Sequence, residues 1–148
     1  MRTMTIGSES DMLTLGKRLG KLLPAGAFVA LYGNLGAGKS VLARGVASAF
    51  GVDRLTSPTF TIVQEYPTTP RLFHFDAYRL ADEDELYAIG FSDYLAAGGV
   101  LLMEWANLVP GCLPKERLDV RIDGAGMEAR TVTLTPCGEC YQKLVERL

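Results

Sequence analysis

An apolar segment that runs directly into a glycine-rich loop sets the strongest limit on how this 148-residue chain folds. The segment at 28–32 reads Phe-Val-Ala-Leu-Tyr, and the loop at 33–40 reads Gly-Asn-Leu-Gly-Ala-Gly-Lys-Ser, which matches G-x-x-x-x-G-K-[ST] without exception. In this pattern a strand leads through the loop into a helix, and backbone N–H groups converge on one point at the helix N-terminus. The sequence therefore predicts a strand–loop–helix unit that binds phosphate.

The residue types in the loop suit the phosphates of a nucleotide. Gly33, Gly36 and Gly38 can adopt positive φ angles and put no Cβ between the chain and the phosphate oxygens. We expect the ammonium of Lys39 to contact the β and γ phosphates and the hydroxyl of Ser40 to ligate Mg²⁺. An ordinary glycine-rich turn is the alternative, but the complete match between a strand and a helix disfavours it.

Composition and charge limit the remaining function classes. The net charge is −2 and no cluster of Lys and Arg occurs, which argues against a protein that holds nucleic acid by charge alone. With 148 residues, 48% of them hydrophobic, we expect a single P-loop NTPase domain at 1–148. The sequence has no apolar signal core at its start and no run of about 18 apolar residues, so we expect a cytoplasmic protein that does not engage a membrane.

The three cysteines fit a reducing compartment. Cys137 and Cys140 form a C-x-x-C pattern, but a zinc site would need two further ligands. The candidates are the distant Cys112 and the only histidine, His74. We favour free thiols over metal binding or redox chemistry.

Hydrophobic periodicity and turn residues predict the other elements. We predict one helix that begins at Ser8 or Ser10 and ends before Pro24, and a second that runs from the loop to Gly51. Three more helices are predicted at 82–88, 93–97 and 139–148. The predicted strands are a hairpin of 60–66 and 71–76, a buried strand at 99–104, and an antiparallel pair at 117–123 and 129–135. This order predicts an α/β fold, a three-layer P-loop NTPase sandwich whose mixed sheet has a parallel core and antiparallel flanking strands.

Two acids end apolar strands in this prediction. Asp76 closes the strand at 71–76, and Glu104 closes the one at 99–104. Ligands bind beyond the carboxyl ends of strands in open α/β sheets, so either carboxylate could serve as the Walker B acid that reaches the metal or its waters.

The segment at 57–60, Ser-Pro-Thr-Phe, suits a nucleotide switch in which Thr59 reaches the metal or the γ-phosphate. Its alternative is a proline turn that leads into a strand.

Four segments read in order closely resemble the TsaE family, the bacterial P-loop ATPases of tRNA threonylcarbamoyladenosine synthesis. They are the loop at 33–40, Ser-Pro-Thr-Phe at 57–60, His-Phe-Asp-Ala-Tyr-Arg-Leu at 74–80, and Glu104-Trp105. The resemblance implies that the nucleotide phosphates are bound by Asn34, Leu35, Gly36, Ala37, Gly38, Lys39, Ser40 and Val41. It also implies Mg²⁺ ligation by Ser40, a switch role for Thr59, a Walker B-like role for Asp76, and a metal or catalytic role for Glu104.

The same resemblance implies contacts beyond the phosphates. Arg130 and Asp11 are implied nucleotide contacts, although Met12 stands where relatives often carry a threonine. The implied partners are the proteins TsaD and TsaB, with tRNA reached only through their complex. A lone histidine on a strand is more often a structural residue than a ligand, so we favour a structural role for His74. Asp76 is its candidate polar partner.

Three function classes compete for a chain of this kind. A GTPase should carry an N-K-x-D motif, and the nearest segment, Asn-Leu-Val-Pro at 107–110, lacks its Lys and Asp. A small-molecule P-loop kinase would need an acceptor pocket and an arginine-bearing lid, and we rank it second. We expect a Mg²⁺-dependent ATPase that binds and resets a TsaB/TsaD complex in t6A37 modification. No arginine is clearly placed to act in cis, so we expect slow hydrolysis by the isolated chain and faster turnover in the complex.

Overall fold

The computed structural model describes residues 1–34, 36–58 and 61–148. In chain order the strands are β1 (Arg2–Ile6), β2 (Phe28–Tyr32), β3 (Val63–Tyr66), β4 (Leu72–Asp76), β5 (Val100–Glu104), β6 (Arg117–Asp123) and β7 (Arg130–Cys137). The helices are α1 (Glu9–Leu22), α2 (Lys39–Ala49), α3 (Glu83–Ala88), α4 (Phe91–Ala96) and α5 (Glu139–Glu146). Short 3₁₀ turns at Ala106–Leu108 and Pro110–Cys112 follow β5.

All of these strands join one sheet in the order β1-β7-β6-β2-β5-β4-β3. The central neighbours β6, β2, β5 and β4 are parallel, whereas β3 is antiparallel to β4, and β7 is antiparallel to both β6 and β1. The predicted mixed sheet, with a parallel core and antiparallel flanks, is therefore confirmed. β2 carries the loop from the middle of the sheet, with β5 and β6 on either side.

Helices cover both faces of the sheet and form the two outer layers of the fold. Leu19 of α1, Leu42 of α2 and Leu144 of α5 pack on one face. On the other face, Phe91 of α4 meets Phe75 of β4 edge to face, with ring centroids 5.5 Å apart. Successive strand residues point to opposite faces, so the two cores draw on alternate residues of the same central strands.

The start of α1 agrees with its local sequence signal, whereas the start of β3 does not. The hydroxyl of Ser8 accepts a hydrogen bond from the backbone N–H of Asp11 at 3.0 Å, which confirms Ser8 as the cap. The predicted strand at 60–66 is wrong at its start, because β3 begins only at Val63. Ile62 has a φ of 71°, which interrupts an extended chain, and its N–H bonds to the carbonyl of Pro58. Phe60 lies outside the described residues.

Two further structural facts bear on the expectations from sequence. Across the residues that the structure describes, no helix combines the length and apolar character needed to cross a bilayer. Cys112 is buried, Cys137 is half-buried and Cys140 is exposed, and all three are free thiols.

The sequence analysis did not predict β1, because a short edge strand next to the chain start has little of the hydrophobic pattern that predicts strands.

Close packing of α1 on α2 depends on two glycines, and this leads to a prediction about stability. A Cβ on Gly16 would lie 2.4 Å from the carbonyl oxygen of Leu42, and one on Gly45 would lie 2.4 Å from that of Leu13. We expect Gly16→Ala to lower the free energy of unfolding by about 1–3 kcal/mol, because backbone atoms must separate to admit the methyl group. Urea denaturation measures the change.

The matched control for this substitution is Gly7→Ala. The nearest atom to a Cβ there is an Asp11 carboxylate oxygen at 4.0 Å, so we expect no loss of stability. Equal urea midpoints for Gly16→Ala and the parent chain would show that the two helices can separate at no cost.

Candidate functional site

The loop at 33–40, called the phosphate loop below after its predicted role, lies where β2 ends and α2 begins, as the sequence predicts. Gly38 has a φ of 111° and immediately precedes the first helical residue, Lys39. The backbone N–H of Ala37 donates to the carbonyl of Asn34 at 3.1 Å, which closes a turn inside the loop. Because the first helical N–H groups have no partner within α2, this end of the helix is suited to an anion.

Lys39 is buried although it is a lysine, with 5% of its surface exposed. Its ammonium donates to the carbonyl of Gly33 and, at 3.2 Å, to that of Asn34. It also lies 3.9 Å from the centroid of the Trp105 ring, a cation–π contact. Burial lowers the pKa of Lys39, and the negative charges of Glu104 and Asp76 act against this effect. The loop, the indole and the two acids together hold this charge in place.

Asp76 and Glu104 are brought side by side at the carboxyl ends of neighbouring strands. β4 and β5 are parallel, and their register pairs Asp76 with Glu104. Both residues are buried, at 6% and 7% exposure. The backbone N–H of Tyr78 donates to Asp76 Oδ1 at 2.9 Å, so the turn after β4 orients this carboxylate. The sequence predicted that both acids end strands, and the structure adds that they are direct neighbours.

The phosphate loop and both acids line one cavity of about 370 Å³. Trp105 and Tyr78 form an aromatic wall, with ring centroids 4.9 Å apart. The lining residues are Asn34, Gly36, Gly38, Lys39, Ser40, Val41, Ser57, Asp76, Tyr78, Glu104 and Trp105. Most residues expected to contact phosphate or metal therefore meet at one place. Leu35 and Thr59, also expected there, lie outside the described residues.

The histidine on β4 pairs with Glu104, not with Asp76. His74 Nε2 lies 2.7 Å from Glu104 Oε2, and both side chains are almost fully buried. Asp76 lies on the same strand and the same face as His74, two residues further on, whereas the parallel register places Glu104 on the adjacent strand. The expectation of an Asp76 partner is wrong because the Glu104 carboxylate lies within hydrogen-bond distance of Nε2, and no local sequence signal specifies that contact.

Arg130, at the start of β7, contacts the phosphate loop directly. Its guanidinium donates to the carbonyls of Ala37 at 3.1 Å and Gly36 at 3.2 Å. It also donates to the carbonyl of Gly126 at 3.1 Å, so it links the β6–β7 loop to the phosphate loop. The implied role of Arg130 as a nucleotide contact stays a prediction, and bracing of the loop is an additional role that its sequence position did not indicate.

A second cavity, of about 350 Å³, lies against the phosphate loop and shares Gly36, Gly38 and Val41 with the first. Its other lining residues come from the end of β1, the start of α1, the phosphate loop, the β6–β7 loop and the start of β7. They are Ile6, Gly7, Ser8, Glu9, Met12, Ala37, Gly126, Met127, Glu128 and Arg130. Asp11 is exposed in the first turn of α1 and is not among the described lining residues. Its implied role as a nucleotide contact stays a prediction.

Comparisons with known proteins agree with this architecture. The sequence model of the family described as threonylcarbamoyl adenosine biosynthesis protein TsaE matches residues 6–132. A protein of Bacillus subtilis named tRNA threonylcarbamoyladenosine biosynthesis protein TsaE is 41% identical over 138 residues, 89% of this chain and 86% of that protein. A protein of the same name from Streptomyces coelicolor is 42% identical over 137 residues, which are 86% of this chain and 92% of that protein.

A solved structure shares the fold at similar coverage. The crystal structure of Bacillus subtilis YdiB superposes with a TM-score of 0.84 at 32% sequence identity, covering 98% of this chain and 91% of that one. The similarity thus extends through the sheet, the phosphate loop and the helices on both faces. On the breadth of these matches in sequence and in structure, the chain belongs to the TsaE family, which takes part in the biosynthesis of threonylcarbamoyladenosine in tRNA.

Proposed function

We propose that this protein is a Mg²⁺-dependent ATPase whose nucleotide cycle supports threonylcarbamoyladenosine synthesis through a complex with TsaB and TsaD. One observation carries the proposal: Lys39 and Ser40 of the phosphate loop share a cavity with the buried acids Asp76 and Glu104. Phosphoryl transfer to water needs a phosphate cradle, a cation site and a group that orients the water. Residues suited to all three tasks line that cavity.

Phosphate binding falls to the loop and to Lys39. The backbone N–H groups at the start of α2 bind the phosphate oxygens, and the ammonium of Lys39 leaves the loop carbonyls to contact the β and γ phosphates. Its charge is already confined by the Trp105 ring and by burial, so little rearrangement of the surrounding residues is required. Preorganised charge of this kind stabilises the transferring phosphoryl group.

The donor set suits magnesium. A hydroxyl from Ser40 and carboxylates from Asp76 and Glu104 are hard oxygen ligands, and Mg²⁺ prefers few such protein ligands together with phosphate oxygens and water. When bound, the ion would neutralise charge on the phosphates. Within residues 1–34, 36–58 and 61–148, no cluster of three or more His, Cys, Asp or Glu side chains could hold a metal by itself, so the phosphates would complete the ligand set.

The second cavity supports binding of the base and ribose. It continues from the phosphate loop at Gly36 and Gly38, and Ile6, Met12 and Val41 offer apolar surface to a planar base. No N-K-x-D motif is present to read guanine, which favours ATP over GTP. Arg130 lies in the wall of this cavity and holds the loop that separates the two spaces.

Slow hydrolysis by the isolated chain follows from the lining of the first cavity. Among the described residues that line it, none is an arginine, and Arg130 lines the second cavity and donates to the carbonyls of Gly36 and Ala37. Arginine supplied in trans typically accelerates such reactions strongly. We propose that TsaB and TsaD dock over this cavity and complete or reshape it, in the cytoplasm, where tRNA is modified.

The test is ATP hydrolysis with and without TsaB and TsaD. We expect slow release of inorganic phosphate from the isolated chain and a rise of about tenfold or more when both partners are added. Lys39→Ala in the same mixture controls for contaminating ATPases. Absence of both stimulation and a complex on size-exclusion chromatography would contradict the proposed partners. A labelled phosphoryl group on a metabolite would instead support a small-molecule kinase.

A further inference from the structure

Glu104 lines the first cavity, and its hydrogen-bond partner His74 is buried and is not among the described lining residues. His74 is the only histidine of the chain, and it is 2% exposed on the central strand β4. Its Nε2 contacts Glu104 Oε2 at 2.7 Å. The other ring nitrogen, Nδ1, is also buried and has no hydrogen-bond partner among the residues that the structure describes.

The surroundings of the two ring nitrogens determine which of them carries the proton. A carboxylate only accepts hydrogen bonds, so the short contact to Glu104 requires a proton on Nε2. A proton on Nδ1 would leave a buried donor unsatisfied, which is costly, whereas a bare nitrogen acceptor there loses less. The imidazole is therefore held as the Nε2–H tautomer, and Glu104 is the group that selects it.

The consequence for Glu104 is that its two oxygens differ. Oε2 is occupied by the histidine, which leaves Oε1 as the oxygen for the cavity that Lys39 and Ser40 also line. Both side chains come from neighbouring parallel strands in the centre of the sheet, which are rigid supports for a reactive group. A glutamate side chain has several rotamers, and a hydrogen bond to one oxygen restricts it to one of them.

We propose that His74 is a positioning residue that holds Glu104 through Nε2–H so that Oε1 faces the water or metal of ATP hydrolysis. This inference rests on the proposed function, because it gives a role to His74 only if Glu104 acts in hydrolysis. The competing explanation is that the pair merely satisfies two buried polar groups of the sheet. In that case loss of the pair would cost stability and leave the catalytic step of the folded protein unchanged.

Two substitutions of His74 by amide side chains of different length distinguish between these explanations. The side-chain amide of His74→Gln extends about as far as Nε2 and can donate to Glu104, whereas the amide of His74→Asn is one methylene shorter. We expect His74→Asn to lower kcat about 10- to 100-fold with the KM for ATP nearly unchanged. His74→Gln should recover most of that loss. Equal kcat values for both variants and the parent would overturn the proposal.

A double-mutant cycle tests whether His74 acts through Glu104. In a Glu104→Gln background, His74→Asn should cause no further fall in kcat, because the group that it positions has already been replaced. Independent, multiplicative losses would overturn the positioning role. If Glu104→Gln alone leaves turnover unchanged, this inference fails and Asp76 becomes the remaining acid. If the parent chain hydrolyses no ATP with or without TsaB and TsaD, the proposed function itself fails. If Glu104→Gln abolishes turnover while His74→Asn keeps the kcat of the parent, only the present inference fails.

The tautomer can be measured on the parent chain, without any variant. Long-range ¹H–¹⁵N correlation spectra of the uniformly labelled protein contain the ring of a single histidine, so no assignment is needed. We expect a proton on Nε2, the nitrogen that contacts Glu104 Oε2. An Nε2 without a proton would overturn the hydrogen-bond assignment. Loss of this tautomer preference in Glu104→Ala would show that the carboxylate imposes it.

Discussion

Glu104→Gln is expected to lower kcat for ATP hydrolysis by about 100-fold or more while ATP still binds. Glu104 is 7% exposed at the end of β5, in the wall of the cavity that contains Lys39 and Ser40. An amide has nearly the same shape as the carboxylate, but it carries no negative charge with which to orient water or accept a proton. The loss therefore falls on the hydrolytic step.

ATP binding by this variant should be as tight as in the parent, or tighter. Replacement of the Glu104 carboxylate by an amide removes its repulsion of the triphosphate, and Ser40 and Asp76 remain as ligands for Mg²⁺. Lys39 and the backbone N–H groups at the start of α2, which bind the phosphates in our proposal, are unchanged. Single-turnover hydrolysis and calorimetric titration with a non-hydrolysable analogue measure the two quantities separately.

The control is Glu139→Gln on α5, where the glutamate side chain is 81% exposed and pairs only with Lys143 among the described contacts. It makes the same chemical change away from the cavity and should leave hydrolysis at the parent rate. Unchanged turnover in Glu104→Gln would remove Glu104 from the mechanism, and Asp76 would become the remaining acid for the role.

Lys39→Ala is expected to weaken ATP binding about 10- to 100-fold, the cost of losing charge-assisted hydrogen bonds to the phosphates. The lysine is 5% exposed and is flanked by loop carbonyls, the Trp105 ring and two carboxylates. With alanine in its place, the negative charges of Asp76 and Glu104 would face the triphosphate without the compensating ammonium group. Calorimetric titration of ATP into each protein measures the change.

Lys143→Ala on α5 is the control for this substitution, because its ammonium side chain is 74% exposed and lies away from both cavities. It removes the same charge and should bind ATP like the parent. A Lys39→Ala variant that bound ATP as tightly as the parent would mean that the loop at 33–40 does not bind the phosphates. Thermal melts of both variants establish that each is folded when the titrations are made.

Much of the fold was predictable because its signals are local. Ser8 caps α1 through a bond to a residue three positions away, and alternation of apolar and polar residues placed β6 and β7 close to their observed bounds. The start of β3 was not predictable in this way. β-branched and aromatic residues before Val63 suggested extended chain, yet Ile62 adopts a positive φ and its N–H bonds back to Pro58. A bond within a loop outweighed strand propensity there.

The candidate site was predictable residue by residue but not as an arrangement. The pattern at 33–40 indicated phosphate binding, and the ends of two apolar runs indicated Asp76 and Glu104. That these acids are neighbours depends on β4 pairing with β5, and the residue that orients Glu104 is 30 positions away. Arg130 reaches the carbonyl of Ala37 across 93 positions, and no local pattern predicts such a bond.

The amino-acid sequence alone determined the strand–loop–helix unit, the acids that end β4 and β5, and the resemblance to the TsaE family. These depend on residue types within a few positions, where backbone geometry and side-chain chemistry act directly. Tertiary structure alone decided that β6 lies parallel to β2, that His74 pairs with Glu104, and that Arg130 braces the loop. Those contacts form only when distant segments are packed together, because their partners are selected by burial and strand register rather than by spacing along the chain.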